Sequence, residues 1–208
     1  MPRPKDFTPS ASRDRILAAA TVEFAARGFA GAGIDRIARR ARLNKAMIYY
    51  HFKSKQALYR AILRDMFLTV GTRLRAVGAS ERSSEDKVAE FLRTVLEEAE
   101  RRPYFPSIML REIAEGGVRL DPETLAQMSG VFQAATAIVV EGQQHGVFID
   151  IHPLVAYFTM VAPIVFFLAS APVRREMRNL KLNTQIAVEP AAFVSGLHRF
   201  AMRGLRKD

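Results

Sequence analysis

The sequence predicts an all-α protein, with three short N-terminal helices followed by a larger helical domain. Three observations lead there. Apolar residues recur at three- and four-residue steps over most of the chain. No stretch shows the period-two alternation of a half-buried strand. Glycine, proline and helix-capping side chains fall where those periodic runs break.

The elements follow in order. A first helix opens at Ser12, carries Ile16, Ala20 and Phe24 on one stripe, and ends at Arg27-Gly28, where glycine supplies a left-handed cap. The GFAGAG run then breaks the chain. It has a passing likeness to a glycine-rich phosphate loop, but it follows a helix rather than a strand, so it reads as a helix end and linker. Ile34, Ile37, Ala38 and Ala41 mark a short amphipathic helix. Asn44 is a strong N-cap, so a third helix starts at Lys45, and Ser54 caps a fourth that runs to about Val77. Further helices are expected at about 84–101, 104–116, 121–145, 153–171 and 189–205.

Charge separates the two parts. Of the net +10, residues 1 to 60 hold 13 Lys/Arg against 4 Asp/Glu, and the remaining residues hold 18 against 17. A basic segment on a nearly neutral body points to a polyanion as partner of that segment. The chain has no cysteine, which removes disulfides, thiolate metal ligands and thiol nucleophiles. The four histidines fall in no metal-ligand spacing, and no catalytic constellation emerges, so neither an enzyme nor a metal or cofactor site is expected. The N-terminal MPRPKDFTPSAS lacks the apolar core of a secretory signal.

Two short helices joined by a tight turn, the second basic and rich in hydrogen-bonding side chains, form a helix-turn-helix. Within LNKAMIYYHFKSKQAL, Ile48 and Phe52 share a face and belong to the core with Ile37, Ala38 and Leu43. Lys45, Met47, Tyr49 and Tyr50 then turn toward the outside. A helix of this size enters a major groove, where its flanking hydroxyls, imidazole and ammonium groups donate to phosphates. Lys55, in the first turn of the next helix, adds to a place that already favours an anion.

From residue 12 to about 63 the chain resembles the DNA-binding domain of the TetR family of bacterial regulators. ILAAATVEFAARGF, IDRIARRA and IYYHFKSKQAL carry the resemblance. It implies DNA contacts at Asn44, Lys45, Ala46, Tyr49, Tyr50, His51 and Lys55, and the docking argument adds Met47. Three departures stand out. Arg42 occupies a turn position that usually holds glycine, at a cost of about 1 kcal/mol if the backbone there is left-handed, and a phosphate contact from its charge would offset that cost. Asn44 replaces a serine, and Gly33 replaces a hydroxyl cap.

The resemblance implies a division into a flexible basic tail (1–11), a DNA-binding domain (12–58), and a helical effector-binding and dimerisation domain (59–208). It further implies a homodimer through about 153–171 and 189–205 and a pocket for an apolar or amphipathic small molecule. Phe91, Phe105, Met109, Met128, Phe132, Phe158 and Met160 are the expected lining, with Arg111, Glu112, Gln143 or His145 as polar anchors. The function expected is a cytoplasmic, ligand-released repressor on a near-palindromic double-stranded operator. A DNA-binding protein without an effector is the alternative. A membrane-associated sensor is the other, because PLVAYFTMVAPIVFFLASAPV (153–173) carries no charge. Pro163 interrupts that segment and the helices before it are amphipathic, so a helix buried at a dimer interface is the preferred reading.

Overall fold

Ten helices form the regular structure among residues 9–182 and 185–207, which the computed structural model describes: α1 (Pro9–Gly31), α2 (Ile34–Ala41), α3 (Lys45–Phe52), α4 (Lys55–Gly78), α5 (Ser84–Arg101), α6 (Phe105–Ala114), α7 (Pro122–Gln144), α8 (Pro153–Ala169), α9 (Ala171–Asn179) and α10 (Pro190–Leu205). No strand is present among the described residues, so the expected all-α class holds. The single β-type feature there is an isolated antiparallel bridge between Phe148 and Arg206.

The chain forms two units. The first comprises the residues up to Met66 together with Ser107–Thr124, and the second comprises Phe67–Pro106 and the residues from Leu125 onward. Both are therefore discontinuous in sequence.

In the first unit α1, α2 and α3 pack on one another, burying Ile16, Ala20 and Phe24 against Ile37, Ala38, Ile48 and Phe52. Leu58 and Leu63 of α4 are fully buried as well. Tyr59 sets its ring edge against Phe24 and Phe29, at 5.0 and 5.3 Å between centroids. The first helix starts at Pro9, three residues before the expected Ser12, so the end of the expected tail is helical, and the rest of that tail (1–8) lies outside the described residues. Gly28 breaks α1 where expected, but at φ 67° and ψ 178° its backbone is extended with positive φ rather than the left-handed helical cap foreseen, and one further turn follows it.

In the second unit α5, α8 and α10 pack together around Phe91, Leu92, Met160, Ile164 and Val194. Buried Lys87 of α5 donates to both carboxylate oxygens of Glu141 at 2.7 Å. Glu98, 1% exposed, accepts from Arg73, Arg101 and Arg102. After α7 the chain folds back flat on Gly142, where a Cβ would stand 2.1 Å from the Phe148 ring. Arg206 closes this unit with a hydrogen-bonded pair to Glu85.

The last third departs from expectation at one place. The helix expected at 153–171 ends at Ala169, and a separate nine-residue helix, α9, follows where none was expected. Pro163 lies inside α8 without ending it. Among the described residues no single helix is long and apolar enough to cross a membrane. Taken together α8 and α9 have the length, but they bend by 49°.

Candidate nucleic-acid interface

The turn between α2 and α3 is fixed by the chain's own capping chemistry. Arg42 adopts the left-handed conformation, at φ 54° and ψ 44°. Its N–H reaches Arg39 O at 3.1 Å, and the N–H of Leu43 reaches Ala38 O at 3.0 Å, which satisfies the last carbonyls of α2. The cost foreseen for an arginine here is therefore incurred. A residue invisible to sequence reasoning helps to hold the turn: Arg15 of α1 donates to Ala41 O at 2.6 Å and Arg42 O at 3.3 Å.

Asn44 then opens α3, its Oδ1 accepting the Met47 N–H at 2.9 Å. Ser54 does the same for α4, accepting from Ala57 N at 3.0 Å. Within α3, Ile48 is fully buried and Phe52 nearly so. Lys45, Ala46, Tyr49 and Tyr50 are exposed, Tyr49 to 42% and Tyr50 to 67%. Met47, His51 and Leu43 are half-buried. The structure thus brings together on one side of α3 most of the residues picked from sequence, with Arg42 and Lys53 exposed at its two ends.

Two of the expected residues already have polar partners, and a third is packed against a neighbouring ring. The Lys45 ammonium lies 3.1 Å from Asp35 Oδ1. The Nε2 of His51 is buried with no hydrogen-bond partner, and the ring sits edge-on to Tyr50. Lys55 turns toward the end of α1, donating to Ala30 O at 3.3 Å and standing 4.7 Å over the Phe29 ring. Burial, together with the positive charges of Arg119 and Arg36, holds its ammonium below the ordinary lysine value.

Gly33, where a hydroxyl cap was missed, has a local explanation. A Cβ there would meet the Arg36 guanidinium at 3.2 Å. Arg36 folds back onto Gly31 O and Glu23. Burial alone would raise the Glu23 carboxyl, but the hydrogen bonds from Arg36 and from the Gly33 backbone outweigh it and hold the group below its usual value.

A second, buried group of residues supports this surface, through pairings that no short-range pattern in the sequence announces. Glu112 of α6 is fully buried and accepts from the Tyr59 hydroxyl at 3.0 Å, from Arg119 N at 3.0 Å and from Arg119 Nη1 at 3.1 Å. Arg119 also stands 4.7 Å over the face of Phe29, so Phe29 carries two cations, Lys55 and Arg119. Burial first, and then the hydrogen bond to Glu112, push the Tyr59 phenol well above its ordinary value. Close by, Asp121 caps α7, accepting from Thr124 N at 3.0 Å and Thr124 Oγ1 at 2.6 Å, and pairs with Arg64. Those bonds draw the Asp121 carboxyl down to about 2.

The residues expected to line a ligand pocket are dispersed. Phe91, Phe105, Met109 and Met160 are buried, Met128 and Phe132 half-buried, and Phe158 is 56% exposed. Met109 belongs to the first unit and the other six to the second. Phe132 packs edge-on against Tyr157 at 5.4 Å, and Tyr157 against Phe158 at 5.3 Å. Tyr157 was not among the expected residues, and burial raises its phenol. Of the expected anchors, Glu112 is committed to Tyr59 and Arg119. Gln143 donates to Ile149 O and Ile151 O, while Arg111 and His145 are exposed. Thr136, one turn beyond Phe132 on α7, has a buried hydroxyl oxygen with no hydrogen-bond partner.

Comparison with known proteins places this geometry. The family model described as bacterial regulatory proteins, tetR family, matches residues 16–62. The transcriptional repressor NicS of Pseudomonas putida is 28% identical over 203 residues, covering 94% of this chain and 93% of its own. The transcriptional repressor SCO4008 of Streptomyces coelicolor is 30% identical over 145 residues, covering 70% and 71%. Among solved structures, a tetR-family regulatory protein from Rhodococcus RHA1 aligns over 95% of this chain and 98% of its own, with a TM-score of 0.76 at 18% identity. A helix-turn-helix with a pinned, outward-facing second helix, relatives among transcriptional repressors and a shared fold lead to one conclusion: the chain belongs to the TetR family of bacterial regulatory proteins.

Proposed function

We propose that this DNA-binding transcription regulator is a homodimeric repressor, released from a near-palindromic operator by an apolar or amphipathic small molecule. The observation that carries the reading is the outer side of α3. Ile48 and Phe52 anchor the helix, Asn44 caps it, and Lys45, Ala46, Tyr49 and Tyr50 are left facing solvent. Members of the family bind operators as dimers, which would set two α3 helices in successive major grooves about 34–36 Å apart. Lys45 and Met47 stand where base edges would be read. Tyr49, Tyr50, Arg42 and Lys55 stand where phosphates would pass, with His51 at their margin.

In this reading the principal dimer face is formed by α8 and α10, which expose Leu154, Val155 and Phe158, and Phe200, respectively. Phe158 then serves that face rather than the pocket. The effector site lies in the second unit among Phe91, Phe105, Met128, Phe132 and Met160, with Tyr157 and the Thr136 hydroxyl as polar contacts. Because α6 begins in the second unit and carries Glu112 in the first, a ligand that moves the start of α6 would act on Tyr59, Arg119 and, through Phe29, Lys55. A coupling of about 1–3 kcal/mol would suffice for release.

The test is fluorescence anisotropy on the DNA upstream of the protein's own gene, with excess competitor, across a salt series. Binding that survives competitor is expected, and Tyr50→Ala should weaken it at least tenfold with the fold intact. Lys55→Ala should flatten the salt slope by about one unit. Binding that competitor abolishes at every salt would leave only the sequence-independent phosphate attraction and overturn the repressor reading for that site.

A further inference from the structure

Helix α9 has no buried residue, yet its surface is patterned. Val173, Met177 and Leu180 fall at steps of four and three and are 59%, 39% and 61% exposed. Arg175 and Arg178 lie three residues apart on an adjoining side, both of them exposed. One end of the helix is anchored. The Arg174 guanidinium stands 3.9 Å over the Phe167 ring and donates to Ser170 Oγ at 2.6 Å. Along the rest of α9, Arg175 and Arg178 border a cleft shared with residues 186–190 but no side chain is buried, and a helix this short is marginal in water without packing.

The α9 stripe does not begin at α9. On α8, Val155, Phe158, Ala162 and Phe166 are exposed at steps of three, four and four. Seven residues beyond Phe166 comes Val173. Ser170, between the two helices, keeps right-handed backbone at φ −81° and ψ −2°, so the chain continues from α8 into α9 without a loop, at a bend of 49°. Steps of three and four on each side of the bend, joined by one step of seven, are the pattern of a helix laid along another helix.

We propose that α9 is a second dimerisation helix, whose Val173–Met177–Leu180 stripe continues the α8 face and packs on a second copy of this chain. The inference rests on the reading of α8 and α10 as the principal dimer face. Continuity with that face selects the second copy as occupant. Nine residues of helix span only about 13 Å, and three apolar side chains are a small anchor for a bilayer.

The absence of cysteine makes the test clean. Met177→Cys and Glu81→Cys, each the sole thiol of its variant, would be reacted with a maleimide at a concentration where the protein is dimeric. The thiol at 177 should react at least tenfold more slowly than the one at 81, an exposed position. V173D/M177D should raise the dimer dissociation constant at least tenfold by analytical ultracentrifugation, with an unchanged circular dichroism spectrum. F158D tests the α8 face separately. Should F158D dissociate the dimer while V173D/M177D leaves it intact and the thiol at 177 reacts freely, the α9 inference fails and the α8 reading stands. If F158D has no effect and V173D/M177D does, the α8 reading fails and α9 is itself the interface. Flotation with phosphatidylglycerol vesicles, lost in V173D/M177D at unchanged dimer affinity, would assign the stripe to lipid and overturn the proposal.

Discussion

Helices α3 and α9 are nearly the same length, both are basic, and both hold bulky side chains out to solvent, yet they are supported in opposite ways. Two buried side chains, Ile48 and Phe52, hold α3 down, an Asn44 cap opens it and the Arg42 turn leads into it. By contrast, α9 buries nothing and its N-cap, Ser170, makes no side-chain capping bond. A helix pinned by its core presents its outer residues in a direction the monomer has already settled, which suits reading a rigid groove. A helix without buried residues owes its place to whatever covers it.

The largest test of that contrast is truncation on each side. Phe52→Ala should cost about 4 kcal/mol, as large-to-small core changes do, whereas Met177→Ala should change the stability of the monomer by under about 0.5 kcal/mol. Urea unfolding followed by circular dichroism at one low protein concentration checks both, and equal costs would erase the distinction. A smaller effect concerns Asp121, which caps α7 inside the pinned unit. Its carboxyl is held at about 2 against an ordinary 3.8. A depressed carboxylate contributes stability above its ordinary value and loses it as the pH falls through the folded one. Stability should therefore drop between about pH 4 and 2, by about 2 kcal/mol from this group. Asp121→Asn should lack that portion of the acid limb.

Two capping changes complete the series. Asn44→Ala removes one capping bond and should cost about 1 kcal/mol. It should also weaken operator binding, since α3 then frays at the end proposed to face the groove. Arg42→Gly relieves the left-handed strain at the expense of a more flexible unfolded chain and should raise stability by about 0.5 kcal/mol. If its operator affinity falls as its stability rises, the strained arginine is kept for a phosphate.

The pinned helix was legible in the sequence because everything that defines it is local. Asn44, Ser54 and the spacing of Ile34, Ile37, Ala38 and Ala41 set α2, α3 and the start of α4 where the structure has them. The α9 helix was not legible. Helical periodicity signals a buried face, and its residues have no such face within one chain. Glu112 escaped for a different reason. From sequence it was a polar anchor for a ligand, but its partner Tyr59 lies 53 residues away, and no short-range pattern announces such a pairing. The left-handed Arg42 could be foreseen as a cost, whereas the Arg15 side chain that ties down its turn, from 26 residues upstream, could not.

The interleaving of the two units also bears on how such a chain can be inherited in pieces. Residues 107–124 belong with the DNA-binding helices although the second unit's own segments lie on both sides of them. A crossover that took the N-terminal stretch alone, cut near residue 66, would carry Tyr59, Phe29 and Arg64 away from Glu112, Arg119 and Asp121. A recombined gene would keep a sound reading head only by bringing α6 and the start of α7 along with it.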